Sequence, residues 1–191
     1  LVDFPDDYEP AHRPAPDRHA SLKDPNFAQS VTLICEHNPQ GALGIVISRP
    51  MDIPLGELLE HIDIYPTAAE VKEELVYAGG PVQVDRGFVL HQPLGRWEST
   101  LTVDEDLGLT TSRDILTAVA SGRGPEKRIV ALGYAGWSPG QLEEELADNA
   151  WLTVPSDAEI LFAIPPQERW QAAAKKLGID LNLLAGEAGH A

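Results

Sequence analysis

The chain has 191 residues and 20.7 kDa, the size of one domain that buries a core without metal or disulfide staples. Its hydrophobic share of 43% and charged share of 23% are those of a soluble globular protein, and no apolar stretch approaches the roughly 18 residues that a membrane span requires. Fourteen basic residues against thirty acidic ones leave a formal charge of -16, so most of the surface repels a phosphate backbone and direct nucleic-acid binding is disfavoured.

From Leu1 to about Pro25 the sequence is rich in Pro, Asp, Arg and His without strand or helix periodicity, which predicts a flexible arm over residues 1–24. No basic-then-apolar leader pattern follows Leu1, and no initiator Met is present. Order is expected from Phe27. Val31 to Cys35 is a β-rich run, Asn38-Pro39-Gln40-Gly41 a turn, and Gly44 to Ser48 the antiparallel partner. Asp52 and Pro54 signal a helix start, with Leu55, Leu58, Leu59 and Ile62 on its apolar face.

Leu75 to Ala78 and Gly87 to His91 read as strands, with Gly79-Gly80-Pro81 and a loop carrying Gln83, Asp85 and Arg86 between them. Two further strands are expected at 97–103 and 107–110. A helix capped by Thr111 or Ser112 follows, with Ile115, Leu116 and Val119 inward and Gly122 and Pro125 at its end.

An apolar strand from Arg128 to Leu132 then feeds Gly133-Tyr134-Ala135-Gly136-Trp137, read as a tight loop. Ser138, Pro139 and Gln141 read as N-cap, first-turn proline and capping-box partner of the next helix. Strands at 151–154 and 159–164 and a last helix with Trp170, Ala174 and Leu177 inward complete the domain over residues 25–179, with a fraying tail from 180 to 191. Hairpins with short helices between them, rather than strict alternation, indicate an α+β domain with a mixed, largely antiparallel sheet.

No strong catalytic or cofactor signature is present: the glycines at 79, 80, 133, 136 and 140 match no phosphate or dinucleotide loop, and there is no zinc helix or nucleophile elbow. The expectation is no cofactor and no metal, which weakens an enzyme reading without excluding it. Cys35 beside His37 is the thiol candidate for an enzyme or redox sensor, although in a strand a lone cysteine is more often core. One cysteine also leaves no internal disulfide, in keeping with a cytoplasmic location. Asp85, Arg86 and His91 form a second polar group, in which the ordinary expectation is an Asp–Arg ion pair and a hydrogen-bonded histidine. Trp137, Gln141 and Trp151 bracket the central helix and either staple it to the sheet or line a contact surface. The candidate ligand- or partner-binding residues are therefore His37, Asn38, Asp85, Arg86, His91, Trp137 and Gln141, and no catalytic residue is assigned.

Taken together, Asp24-Pro25-Asn26-Phe27, Cys35-Glu36-His37-Asn38 with Gly41-Ala42-Leu43-Gly44, Gly79-Gly80-Pro81-Val82 leading to Gly87–His91, and Gly133–Trp137 through Gln141-Leu142 to Trp151 resemble the YqgE/AlgH family of bacterial proteins. The resemblance runs in order from about Leu22 to about Leu177. It implies a single α+β domain with a coiled, partly split sheet, a candidate role in transcriptional regulation, and no established activity or cofactor. With this charge, regulation would run through a protein partner or small ligand rather than DNA. The polar, proline-rich Pro14–His19 departs from the apolar strand with which family members enter Asp-Pro-x-Phe, so an open sheet edge, a substitute edge or a partner chain is expected there.

Overall fold

The computed structural model describes residues 30–148 and 150–178; the expected N-terminal arm and C-terminal tail lie outside them. The first hairpin is β1 (Thr32–Asn38) and β2 (Gly41–Val46). Then come β3 (Pro50–Pro54), α1 (Leu55–His61), α2 (Ala69–Lys72) and β4 (Leu75–Ala78). The middle of the chain forms β5 (Val82–Gln92), β6 (Thr100–Thr102), β7 (Gly108–Thr110) and α3 (Arg113–Ala120). β8 (Lys127–Trp137), α4 (Gln141–Ala147), a π-helical turn at Glu159–Ala163 and α5 (Arg169–Lys176) close the domain.

The sheet is organised around β8. Its order is β1-β2-β8-β5-β7-β6, with β4 on β8 and β3 on β4. One flank of β8 is taken by β5, and the other is shared: β4 runs parallel to it at 130–132, and β2 antiparallel at 135–137. All other pairings are antiparallel, as the hairpin-rich sequence predicts.

Alternation along the two long strands builds two cores. On β8, Ile129 and Ala131 face the layer that holds Ile45, Ile47, Phe88, Leu90 and Leu161, while Val130 between them faces Leu55, Leu59, Val71, Ile115 and Val119. Helices α1 to α3 thus cover one face of the sheet, and the π-helical turn contributes Leu161 to the other. A third, smaller core of Ala42, Trp137 and Leu142, with Ile34, Leu146 and Trp151 beside it, seats α4 on the end of the hairpin.

Several sequence expectations need correction. Gly133 to Trp137 is not a loop but the second half of β8, because its glycines permit a backbone crossing rather than a turn. Gly133 has φ 74°, and a Cβ there would stand 2.4 Å from the Gly80 carbonyl oxygen; one on Gly80 would stand 2.1 Å from the Tyr134 carbonyl carbon. The two glycine motifs are the halves of one close backbone approach. Gln83, Asp85 and Arg86 likewise belong to β5, but out of its ladder: Val82 pairs with Tyr134 and Gly87 with Leu132, so β5 spends more chain than β8 and bulges, with Gln83 at φ 47°.

Asp52 does not cap α1; it lies in β3, and Pro54 occupies the N-cap position. Residues 151–154 are irregular, and 159–163 wind into the π-helical turn in place of a strand. Asp157 makes that turn, its carboxylate accepting from Glu159 N–H at 2.8 Å and pairing with Lys176. On α5 the inward positions are Ala174 and Arg169, whereas Leu177 is exposed.

Candidate functional site

His37, Asn38, Trp137 and Gln141 come together at one end of the sheet. In the ladder His37 lies across from Ala42, and Ala42 across from Trp137, so the three strands present a row onto which α4 packs. Gln141 Oε1 accepts from Ser138 N–H at 3.0 Å, but Ser138 is not the N-cap that its spacing predicts: α4 starts later, with Gly140 at φ 79° in the N-cap position and Gln141 as its first residue. Asn38 Oδ1 accepts from Gln40 N–H at 2.8 Å to fix the hairpin turn, and its amide donates to Glu36.

Two glutamates of α4 organise this end. His37 Nε2 and Glu143 Oε1 are 2.7 Å apart on the exposed surface, and the bond from His37 holds the Glu143 carboxyl below its usual range. Glu145 sits between the tryptophans: its Oε2 accepts from Trp137 Nε1 at 3.0 Å and from Trp151 Nε1 at 2.7 Å, and its Oε1 from Gln141 Nε2 at 3.0 Å. The two indole rings meet edge to face, 6.1 Å between centroids. A carboxylate with three neutral donors is a staple, and Trp137 itself is buried, not displayed. The one signal for Glu145 in the sequence was its i,i+4 spacing from Gln141.

The other candidates lie elsewhere. Cys35 sits at a bulge in β1, where the register slips between Ile34 and Glu36, and it turns into the main core while His37 turns out to Glu143. Burial pushes its thiol up to about 12, far from a reactive thiolate. At that bulge the two side chains part, Cys35 inward and His37 outward.

His91 pairs with Arg128 at the opposite end of β8 from Trp137, about 30 Å away at the usual strand rise. It is fully buried and both ring nitrogens are engaged. Nδ1 lies 2.9 Å from the Pro93 carbonyl oxygen, which can only accept, so Nδ1 carries the proton and Nε2 accepts from the Thr110 hydroxyl at 2.7 Å. Thr110 in turn accepts from Thr100 at 2.6 Å. Burial lowers the affinity of His91 for a second proton.

Arg86 is half-buried and makes no ion pair with exposed Asp85 among the described residues. It donates to Gln83 Oε1 at 3.2 Å and Thr111 Oγ1 at 3.4 Å, its guanidinium 5.8 Å from the Phe88 ring centre. No three His, Cys, Asp or Glu side chains among the described residues are placed to hold a metal ion. No helix among them is long and apolar enough to cross a membrane.

The model of the AlgH-like family matches residues 18–182. The chain belongs to the AlgH-like family. A UPF0301 protein of Thioalkalivibrio sulfidiphilus is 61% identical over 170 residues, covering 89% of this chain and 91% of that one. A UPF0301 protein of Nitrosococcus oceani is 54% identical, covering 90% and 91%. The solution structure of the AlgH protein from Pseudomonas aeruginosa superposes with a TM-score of 0.74 at 54% identity, over 90% of both chains. A crystal structure from Corynebacterium diphtheriae shares the fold at 19% identity, with a TM-score of 0.61 over 81% of this chain and 80% of that one. In this chain Gly79, Gly80 and Gly133 therefore have a structural account, the backbone crossing, that calls on no ligand.

Proposed function

We propose that this AlgH-like protein is a non-enzymatic cytoplasmic protein that influences transcription indirectly, by binding a protein partner. Its contact surface is the end of the sheet where the β1–β2 turn meets α4. The observation that carries this reading is the His37–Glu143 pair, an exposed bridge between two elements whose undersides are locked by Glu145 and the two indoles. Such a platform is preorganised, so little ordering cost falls on a partner. The groups with reactive chemistry favour binding over catalysis too: Cys35 is buried with a raised pKa, and His91 has no free nitrogen.

The test is affinity capture from lysate of the source cells with the wild type, His37→Ala and Glu143→Lys, followed by transcript profiling of cells that carry each variant. Loss of one captured protein in both variants at unchanged melting temperature, with the transcript changes of a deletion strain, is expected. Identical capture by all three proteins would remove this surface. Retention on duplex DNA that falls steeply with salt would replace it with direct binding.

A further inference from the structure

From the β5 bulge we propose a second site, independent of the α4 platform: a small oxyanion site centred on Arg86, taking a carboxylate or phosphoryl group of a small molecule. In a chain with thirty acidic and fourteen basic residues, a half-buried arginine is expected to find a carboxylate, as Arg128 does with Glu74 through contacts of 2.9 and 2.6 Å. Arg86 does not. It is held by neutral acceptors, the Gln83 amide oxygen and the Thr111 hydroxyl, and braced against Phe88. Those bonds orient the planar fork and leave its charge unneutralised. A guanidinium has five N–H donors, of which two are engaged here, and the fork matches both oxygens of a carboxylate or phosphate.

Further donors converge on the same place. Gln83 accepts from Arg86 through its carbonyl oxygen, which leaves its NH2 for a ligand. Thr111 Oγ1 donates to Ser99 Oγ at 3.3 Å, so the Ser99 hydroxyl proton can turn outward. The nearest acid of α3, Asp114, is already committed: it accepts from Glu98 N–H, Ile115 N–H and the Ser112 hydroxyl. Asp85 is exposed beside the bulge.

The backbone gives a second, separate reason. Gln83 adopts φ 47°, a conformation that a non-glycine residue rarely holds without compensation, and the bulge is pressed onto β8, where a Cβ on Gly133 would lie 3.3 Å from Val84 Cα. The fold thus holds Gln83 and Arg86 out of the ladder and fixes them there, as bulges do when they re-aim a side chain.

The experiment is a titration of the full chain, 15N-labelled, with inorganic phosphate and, in a separate arm, acetate, at constant chloride and pH. Wild type, Arg86→Gln and Ser99→Ala are compared by amide and arginine Nε–H resonances. Saturable shifts confined to 83–87, 99 and 111 are expected, with the apparent dissociation constant raised about tenfold or more in Arg86→Gln and less in Ser99→Ala. Preference for one arm names the oxyanion class. Shifts that stay linear in both arms, that centre outside the bulge, or that persist unchanged in folded Arg86→Gln overturn the site. Should Arg86→Gln not fold, the location of the wild-type shifts and the Ser99→Ala response decide alone. None of these variants touches His37, Glu143 or the indoles, so this site and the partner surface fail separately.

Discussion

At Glu145 a single carboxylate satisfies two indole N–H groups and an amide, and removing it strands all three. Glu145→Ala is expected to cost about 1–3 kcal/mol in a urea melt, with a change in tryptophan emission. Glu145→Gln, which keeps one acceptor oxygen, should cost less. Cys35 makes the opposite kind of statement. With the thiol pushed up to about 12 inside the core, alkylation at neutral pH should be slow in the native protein and complete only in denaturant, as rates followed with iodoacetamide would show. Fast native alkylation would restore the thiol chemistry that Cys35 and His37 suggest in sequence.

His91 gives the pH dependence a sign. Its native pKa is lowered by burial, so between that value and about 6.5 the unfolded chain binds a proton that the folded chain refuses. Stability therefore falls as pH drops through that window and is indifferent to this group above it. Urea midpoints measured from pH 7.5 to 5 should decline more for the wild type than for His91→Gln, whatever the variant loses in absolute terms.

Among the elements, β5 and β8 explain what was readable and what was not. The apolar runs of Gly87–His91 and Arg128–Leu132 were legible as strands, and the helix with Ile115 and Val119 inward was legible from its period. The continuation of β8 through Gly133–Trp137 was not, since glycines mark a turn and a close crossing with the same letters. Only the facing segment Gly79-Gly80 of the same chain distinguishes them. Gly133→Ala adds a methyl 2.4 Å from a carbonyl oxygen at positive φ, and the expected result is loss of cooperative unfolding or a fall in midpoint worth at least about 2 kcal/mol. Gly140, also at positive φ but with open space around it, should tolerate alanine far better. The pair of circular-dichroism melts separates steric from conformational cost. The strands expected at 151–154 and 159–164 failed for a related reason: short apolar runs carry no period of their own, and Asp157 and the prolines decide their path. The candidate site was half legible. His37, Trp137 and Gln141 do meet, but the glutamates that join them stand in a run of three acids with nothing to mark two of them as partners, and the bulge that separates Cys35 from His37 has no sequence mark.

For the molecule as a whole, α1 to α3 cover one face of the sheet and the π-helical turn packs on the other. Arg169 ties the C-terminal helix into this arrangement. It is buried without a carboxylate among the described residues, donates to the carbonyls of Ile47 and Ile164, and lies over the Tyr77 ring. Burial lowers its pKa, with Tyr77 acting the other way. Arg169→Met exchanges those bonds for apolar contact. The expected outcome is local release of α5, read as faster amide exchange over 166–176 with the central strands still protected.

The position of β8 has a consequence in time. Seven strands precede it in the chain, and three of them, β2, β4 and β5, have it as their neighbour. A chain leaving the ribosome must therefore carry those strands, edges bare, until residues 127–137 emerge, and the sheet closes only then. Nascent chains stopped before residues 127–137 have emerged should be captured by chaperones, and those extended far enough to expose all of β8 released, so that the keystone of the native sheet is also the clock of its synthesis.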